Sequence, residues 1–184
     1  MTRVAICDYG AGNVRSVSAA FARLGADVLV TASPDDVLGA DLAVLPGVGS
    51  AATAMAALEA RGIDQALRER VAAGKSTLGI CLGLQLAFEE SEEDGGVPGL
   101  GLLPGRAVRL RAARVPRMGW AVVEPGGEAF YFAHSYAAES PAATARSEGV
   151  VAEARSGSFL GVQFHPEKSG AAGARYLKRC LSRA

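Results

Sequence analysis

Closely spaced cysteines are absent. The three present, Cys7, Cys81 and Cys180, are an odd number set far apart. That spacing excludes a disulfide framework or a C-x-x-C zinc site and makes a reducing cytoplasm the expectation. Net charge is absent too, because 19 Lys and Arg offset 19 Asp and Glu. No global field then steers the chain to nucleic acid or to an anionic membrane, and neutrality mildly favours association with a protein partner. No apolar run approaches the ~20 residues that span a bilayer. The opening MTRVAICDYG enters strand-like sequence without the layout of a signal peptide. Repeats, linkers and low-complexity tracts are missing, so residues 1–184 are expected to form one domain. What is present suits a compact protein: 49% hydrophobic and 21% charged residues are too apolar a mixture for disorder.

Val4 to Cys7 reads as a short buried strand, followed by the Gly-rich turn Asp8-Tyr9-Gly10-Ala11-Gly12-Asn13. Val14, Val17, Phe21 and Leu24 recur at helical spacing, and Gly25 stops that helix. Asp27 to Thr31 is a second strand, Ser33-Pro34 a helix start, and Leu42 to Leu45 a third strand ending in Pro46-Gly47-Val48-Gly49. Helices are expected over Ala51–Ala60 and Ile63–Ala73, a strand over Thr77–Ile80, and a helix over Leu84–Glu90. This alternation predicts an α/β fold with a mostly parallel central sheet and helices on both faces. After about residue 100 the rhythm changes. Ala107–Leu110, Ala121–Val123, Phe130–Ala133, Val150–Ala154 and Leu160–Phe164 read as strands without intervening helices, an antiparallel extension of the same sheet. A helix from Ser169 to Leu181 closes the chain.

Gly79-Ile80-Cys81-Leu82-Gly83 has the G-x-nucleophile-x-G form, with cysteine as nucleophile. Such a turn holds its central residue in strained backbone, and flanking glycines let neighbouring chain pass close by. The helix start that follows favours a thiolate and offers N–H groups to an oxyanion. On its own the pentapeptide fits a buried cysteine in a Gly-rich turn equally well. A nucleophilic cysteine needs a base, and only two histidines are available, His134 and His165. Both end apolar strands, where open α/β sheets place their sites. His165 has the better claim, because Glu167 two residues on can orient its ring. His165-Pro166-Glu167 also has the H-x-E form of zinc deaminases, but their P-C-x-x-C is absent and no metal is expected. The glycines of Pro46-Gly47-Val48-Gly49 free backbone amides to form an oxyanion hole; alone, they fit a plain turn as well. Gly10-Ala11-Gly12-Asn13 is no dinucleotide loop, since Arg15 stands where G-x-G-x-x-G needs its third glycine.

Taken together, Pro46-Gly47-Val48-Gly49, Gly79-Ile80-Cys81-Leu82-Gly83-Leu84-Gln85 and Gln163-Phe164-His165-Pro166-Glu167 resemble class I (triad) glutamine amidotransferases, essentially end to end. Asp8 to Asn13, Pro116-Arg117-Met118-Gly119-Trp120 and Phe132-Ala133-His134-Ser135-Tyr136 resemble one branch of that family, the glutaminase subunits of imidazole glycerol phosphate synthase. The resemblance implies a flavodoxin-like fold and no cofactor. It implies Cys81 as nucleophile, His165 as proton acceptor and Glu167 as the group holding its ring. Amides at Gly47, Val48 and Leu82 would form the oxyanion hole, and Gly49, Gln85, Glu93, Ser135 and Tyr136 would bind glutamine. The implied partner is a (β/α)8-barrel cyclase that receives the ammonia. Trp120, Tyr131 and Lys168 match the interface near the ammonia passage.

Arg117 departs from the pattern, since many relatives have histidine there. Arg109-Leu110-Arg111 with Arg114 and the acidic run from Glu89 to Asp94 read first as solvated surface, and Trp120 reads equally well as a half-buried core aromatic. A glutaminase for another pathway, such as pyridoxal phosphate synthesis, shares the same chemistry, but the Met-Gly-Trp and His-Ser-Tyr motifs favour the histidine branch. A non-hydrolysing regulatory module with a sensor cysteine is opposed by the intact Cys, His, Glu order.

Overall fold

The computed structural model describes residues 1–184. Its first half alternates strands β1 (Arg3–Cys7), β2 (Asp27–Thr31), β3 (Leu42–Gly47) and β4 (Thr77–Cys81) with helices α1 (Val14–Arg23), α2 (Pro34–Gly39), α3 (Ala51–Glu59) and α4 (Ile63–Ala72). Short α5 (Leu82–Leu86) follows β4 directly. The second half holds β5 (Glu90–Ser91), β6 (Val97–Pro98), β7 (Arg106–Arg109), β8 (Arg117–Val123), β9 (Glu128–His134), β10 (Tyr136–Glu139), β11 (Ala143–Ser147), β12 (Val150–Ser156), β13 (Phe159–Val162) and the closing helix α6 (Gly170–Leu181).

The main sheet has the order β11-β12-β13-β4-β3-β1-β2. Strands β2, β1, β3, β4 and β13 run parallel. Every residue of β3 and β4 is buried, as expected for strands covered on both faces. Alternate side chains divide between the faces. Val4, Ile6, Leu42, Val44, Leu78 and Ile80 pack with Val17 and Phe21 of α1 and Tyr176 and Leu177 of α6. Cys7, Ala43 and Leu45 pack with Met55, Leu58 and Leu67 of α3 and α4 on the other face. Each large apolar side chain buried this way contributes about 1.5–3 kcal/mol, so the two faces fix the register of the parallel strands. No helix is long and apolar enough to cross a membrane.

The expected α/β architecture forms, with three differences in detail. Only β11 and β12 make the antiparallel extension. β13 turns back from β12 at Ser156-Gly157-Ser158, and its free edge meets β4 in parallel. The strands around residues 107, 121 and 130 leave the main sheet. β7 joins β10, β5 and β6 in a second sheet, and β8 pairs with β9 as a separate ribbon. The helix expected over Leu84–Glu90 spans Leu82–Leu86 instead. The carbonyls at its end and just past it, on Leu86, Ala87 and Phe88, accept from the amides of Leu100, Gly101, Leu102 and Leu103, which compete with further helical bonds.

Candidate active site

Strands β3, β4 and β13 are neighbours in the sheet, and the three sequence motifs sit at or just beyond their carboxyl ends. Such ends are where parallel sheets carry their sites. Cys81 closes β4 with φ +55° and ψ −107°, a conformation that side-chain-bearing residues rarely adopt. The flanking glycines explain how the turn packs. A Cβ on Gly79 would lie 2.7 Å from the Gly83 carbonyl oxygen, and one on Gly83 would collide with the carbonyl of Leu45. Both must lack a side chain for α5 to start immediately behind the sulfur.

His165 follows β13 and is 3% exposed. Its Nδ1 lies 2.9 Å from Oε1 of Glu167, whose side chain is also buried. With Nδ1 so engaged, Nε2 is the ring nitrogen left for the Cys81 thiol, which is near enough to act on the titration of the ring. Burial alone would push His165 down, but the bonds to Cys81 and Glu167, and their charges, raise it to about 9. The backbone of His165 is also held. Its N–H donates to the Tyr131 carbonyl at 2.9 Å, and the Ser169 hydroxyl donates to its carbonyl at 2.6 Å. Ser169 Oγ accepts in turn from the Tyr131 N–H at 3.0 Å, so β9 is tied to the histidine by both of its backbone groups.

A cavity of about 250 Å³ opens over the sulfur. Val48, Gly49, Cys81, Leu82, Gln85, Glu93, Ser135 and Tyr136 all line it, so the residues expected from widely separated motifs converge. Gly47 does not line the cavity but pairs in register with Cys81. A Cβ there would come within 2.7 Å of Oη of Tyr9. That hydroxyl donates to the Pro46 carbonyl at 2.8 Å and anchors the β3 end. Gln85 donates to the Tyr136 carbonyl at 2.9 Å. Glu93 is partly committed, because its Oε2 accepts from the Ala51 N–H at 2.9 Å at the start of α3. Burial raises its carboxyl above the usual range, against that hydrogen bond. Pro116, Met118, Ala133 and His134, all from the ribbon segment, complete the wall.

Trp120, Tyr131 and Lys168 lie outside the cavity. Trp120 is 59% exposed and meets Tyr131 edge to face, ring centroids 6.2 Å apart. It is therefore no core residue. With Met118 and Val122 it forms an apolar stripe along one face of β8, all three more than 45% exposed. Lys168 is exposed in the turn after Glu167. Arg109, Arg111 and Arg114 are exposed as well, as expected of a solvated face. Arg117 is not: its guanidinium stacks 4.4 Å over Phe132 and pairs with Glu148 at 2.9 Å.

Two residues escaped the sequence reading. Gln163, fully buried, donates to the Cys81 sulfur at 3.7 Å and accepts from Gln85 at 3.1 Å. The signal was available, since Gln163 shares a strand face with His165 two residues on, an odd place for an amide in an apolar run. The other is Tyr9, which lies within the motif Asp8 to Asn13, where nothing in the spacing announces its contact with Pro46. No group of three or more His, Cys, Asp or Glu side chains is placed so that it could hold a metal ion.

Comparison with known proteins agrees with this geometry. Residues 5–184 match the family described as glutamine amidotransferase class-I. A protein of Methanothermobacter thermautotrophicus named imidazole glycerol phosphate synthase subunit HisH is 46% identical over 191 residues, covering 95% of this chain and 96% of its own. A protein of the same name from Moorella thermoacetica is 46% identical over 196 residues, covering 97% and 93%. Among solved structures, one described as a glutamine amidotransferase superposes with a TM-score of 0.83 over 98% of this chain and 99% of its own; at 22% identity it speaks for the fold alone. With its glycine-flanked cysteine turn, its buried histidine and carboxylate, and this likeness along nearly its whole length, the chain belongs to the class-I glutamine amidotransferases, among the relatives of imidazole glycerol phosphate synthase subunit HisH.

Proposed function

We propose that this chain, folded as one domain in the cytoplasm, hydrolyses glutamine to glutamate and ammonia. The ammonia passes to a (β/α)8-barrel cyclase subunit. There it serves to make imidazole glycerol phosphate and aminoimidazole carboxamide ribotide in histidine biosynthesis. The line Cys81–His165–Glu167 beneath a cavity sized for one small molecule carries the reading.

In the proposed reaction the Cys81 sulfur attacks the side-chain carbonyl carbon of glutamine, and the thiol proton resides on Nε2 of His165. The oxygen takes up negative charge opposite the N–H groups of Val48 and Leu82, with Gly47 giving that strand its freedom. His165 returns the proton to the nitrogen, the C–N bond breaks, and ammonia leaves a thioester on Cys81. Water then attacks the thioester, His165 takes its proton, and the C–S bond breaks to free glutamate. Glu167 holds the ring and stabilises its charged form. Gly49, Gln85, Glu93, Ser135 and Tyr136 hold the substrate. For Glu93 to meet its ammonium group, the carboxylate oxygen not bound to Ala51 must do so.

The exposed stripe of Met118, Trp120 and Val122 supports a partner at this face, because such apolar runs mark protein contacts and Met118 also borders the cavity. Tyr131 and Lys168 flank the same passage in this reading. The test is glutamine hydrolysis with and without the cyclase and its nucleotide ligand. Little activity alone and strong stimulation in the complex are expected. Stimulated hydrolysis that survives Cys81→Ala would overturn the mechanism.

A further inference from the structure

Two buried side-chain atoms have no hydrogen-bond partner, Oε2 of Glu167 and Nε2 of His134. Glu167 meets His165 through its other oxygen. His134 has no role in the reaction as written, yet it lines the cavity beside Cys81 and is only 5% exposed. Its tautomer follows from its one partner. Nδ1 lies 2.8 Å from the Tyr136 carbonyl oxygen, which can only accept, so Nδ1 carries the proton and donates. Nε2 is then a lone-pair acceptor facing no donor. Burial holds the ring neutral, with the pKa lowered to about 4. The Tyr136 bond opposes that shift, and the charges of Arg117 and His165 add to it. A buried acceptor without a donor is costly and rare, and a site that leaves one open asks its ligand to supply the N–H.

Resting on the glutaminase reading, we infer that Nε2 of His134 accepts an N–H from the carboxamide nitrogen of glutamine and so selects glutamine over glutamate. The carbonyl oxygen of a bound carboxamide is directed to the amides of Val48 and Leu82, which turns its nitrogen away from them. His165 addresses the lone pair of that nitrogen and leaves its hydrogens free to donate. His134 stands on the cavity wall beside Ala133, whose carbonyl already accepts from Cys81 at 3.7 Å. Glutamate in the same pose offers no N–H. Its carboxylate would set lone pairs against the lone pair of Nε2, and a site built for a donor rejects an analogue lacking it. The same mismatch, arising when the thioester is hydrolysed, helps release the product.

The test uses the complex with the cyclase and its ligand. His134→Asn keeps an amide N–H for the Tyr136 carbonyl but removes the acceptor at the Nε2 position, whereas His134→Gln carries an amide oxygen out to it. His134→Asn should lower kcat/KM for glutamine about tenfold to a hundredfold, and His134→Gln should recover part of the loss. In a Cys81→Ala background, which needs no turnover, His134→Asn should weaken glutamine about tenfold while leaving glutamate unchanged or tighter. An unchanged ratio of glutamine to glutamate affinity in His134→Asn would overturn the inference. Should that variant not fold, the ¹⁵N resonance of His134 Nε2 in the Cys81→Ala complex decides. It should move upfield with glutamine and not with glutamate, and a resonance indifferent to glutamine overturns the inference. A complex that prefers glutamine through His134 yet never hydrolyses it would sink the glutaminase reading alone; hydrolysis with unaltered selectivity would sink this inference alone.

Discussion

His165 and His134 both stand at strand ends near the same sulfur, one beyond β13 and the other closing β9, and both are nearly inaccessible to solvent. Burial pushes both toward the neutral form, and the outcomes diverge because of what each ring touches. His165 has a carboxylate on one nitrogen and the thiol of Cys81 close by, and against its burial these raise its pKa to about 9. His134 has a backbone carbonyl on one nitrogen, nothing on the other and a guanidinium nearby, and its pKa falls to about 4. In the proposed reaction the two histidines of one site take opposite tasks, a proton carrier and an acceptor that is neutral near pH 7. The pair illustrates how partners, more than depth of burial, decide the role of a histidine.

Breaking the His165 side should have the larger effect. His165→Ala is expected to lower stimulated glutamine hydrolysis by about 10³–10⁴-fold, and Glu167→Gln by about 10²–10³-fold, with the KM for glutamine little changed in either. Steady-state kinetics of the complex measures both. If His134→Asn proved as damaging to kcat as His165→Ala, the division of tasks would be wrong.

The two shifts also bend stability with pH in opposite directions. His165 is raised above the ordinary 6.5, so its contribution is whole below pH 6.5 and fades as pH climbs through about 9. His134 is depressed, so the unfolded chain takes up a proton that the folded one refuses. Its contribution is whole above pH 6.5 and fades as pH falls toward 4. Each limb is worth a few kcal/mol at most. Urea denaturation between pH 4.5 and 9 should therefore show His134→Asn flattening the acid limb and His165→Ala the alkaline limb. A variant that flattened the opposite limb would contradict the assigned shifts.

The contrast between the histidines was only half legible in the sequence. Glu167 lies two residues from His165, so that pairing could be read directly. The partners of His134 are a carbonyl of its own chain turn and an arginine across the ribbon, and no spacing announces either. The same division holds for the fold. Val4–Cys7, Leu42–Leu45 and Thr77–Ile80 declare themselves because strands buried on both faces are apolar throughout. β5 and β6, two residues each, have no periodicity to detect, and the early end of α5 depends on amides more than ten residues further along, from Leu100 to Leu103. The parallel pairing of β13 with β4 was hidden for a related reason. Its turn from β12 specifies one neighbour, and the other comes from a strand about 80 residues earlier.

The smallest expected effect isolates what Arg117 does. It faces His134 in register across the ribbon, its guanidinium lies over the Phe132 ring, and its hydrogen bonds reach Ser147 Oγ and Glu148, each at 2.9 Å. Its charge is one of the two that depress His134, but burial comes first among the causes. Arg117→Met removes the charge and keeps an apolar chain against Phe132. The titration of His134, followed by NMR, should therefore move upward while remaining below 6.5, and that of His165 should stay in place. Stability should fall by about 1 kcal/mol from the lost cation–π and ion-pair contacts. Because the acceptor would stay neutral near pH 7, glutamine selectivity should survive in Arg117→Met while it is lost in His134→Asn. An Arg117→Met complex that lost selectivity at pH 7 would place the discrimination in the charge beside the ring, and the lone pair of Nε2 would no longer account for it.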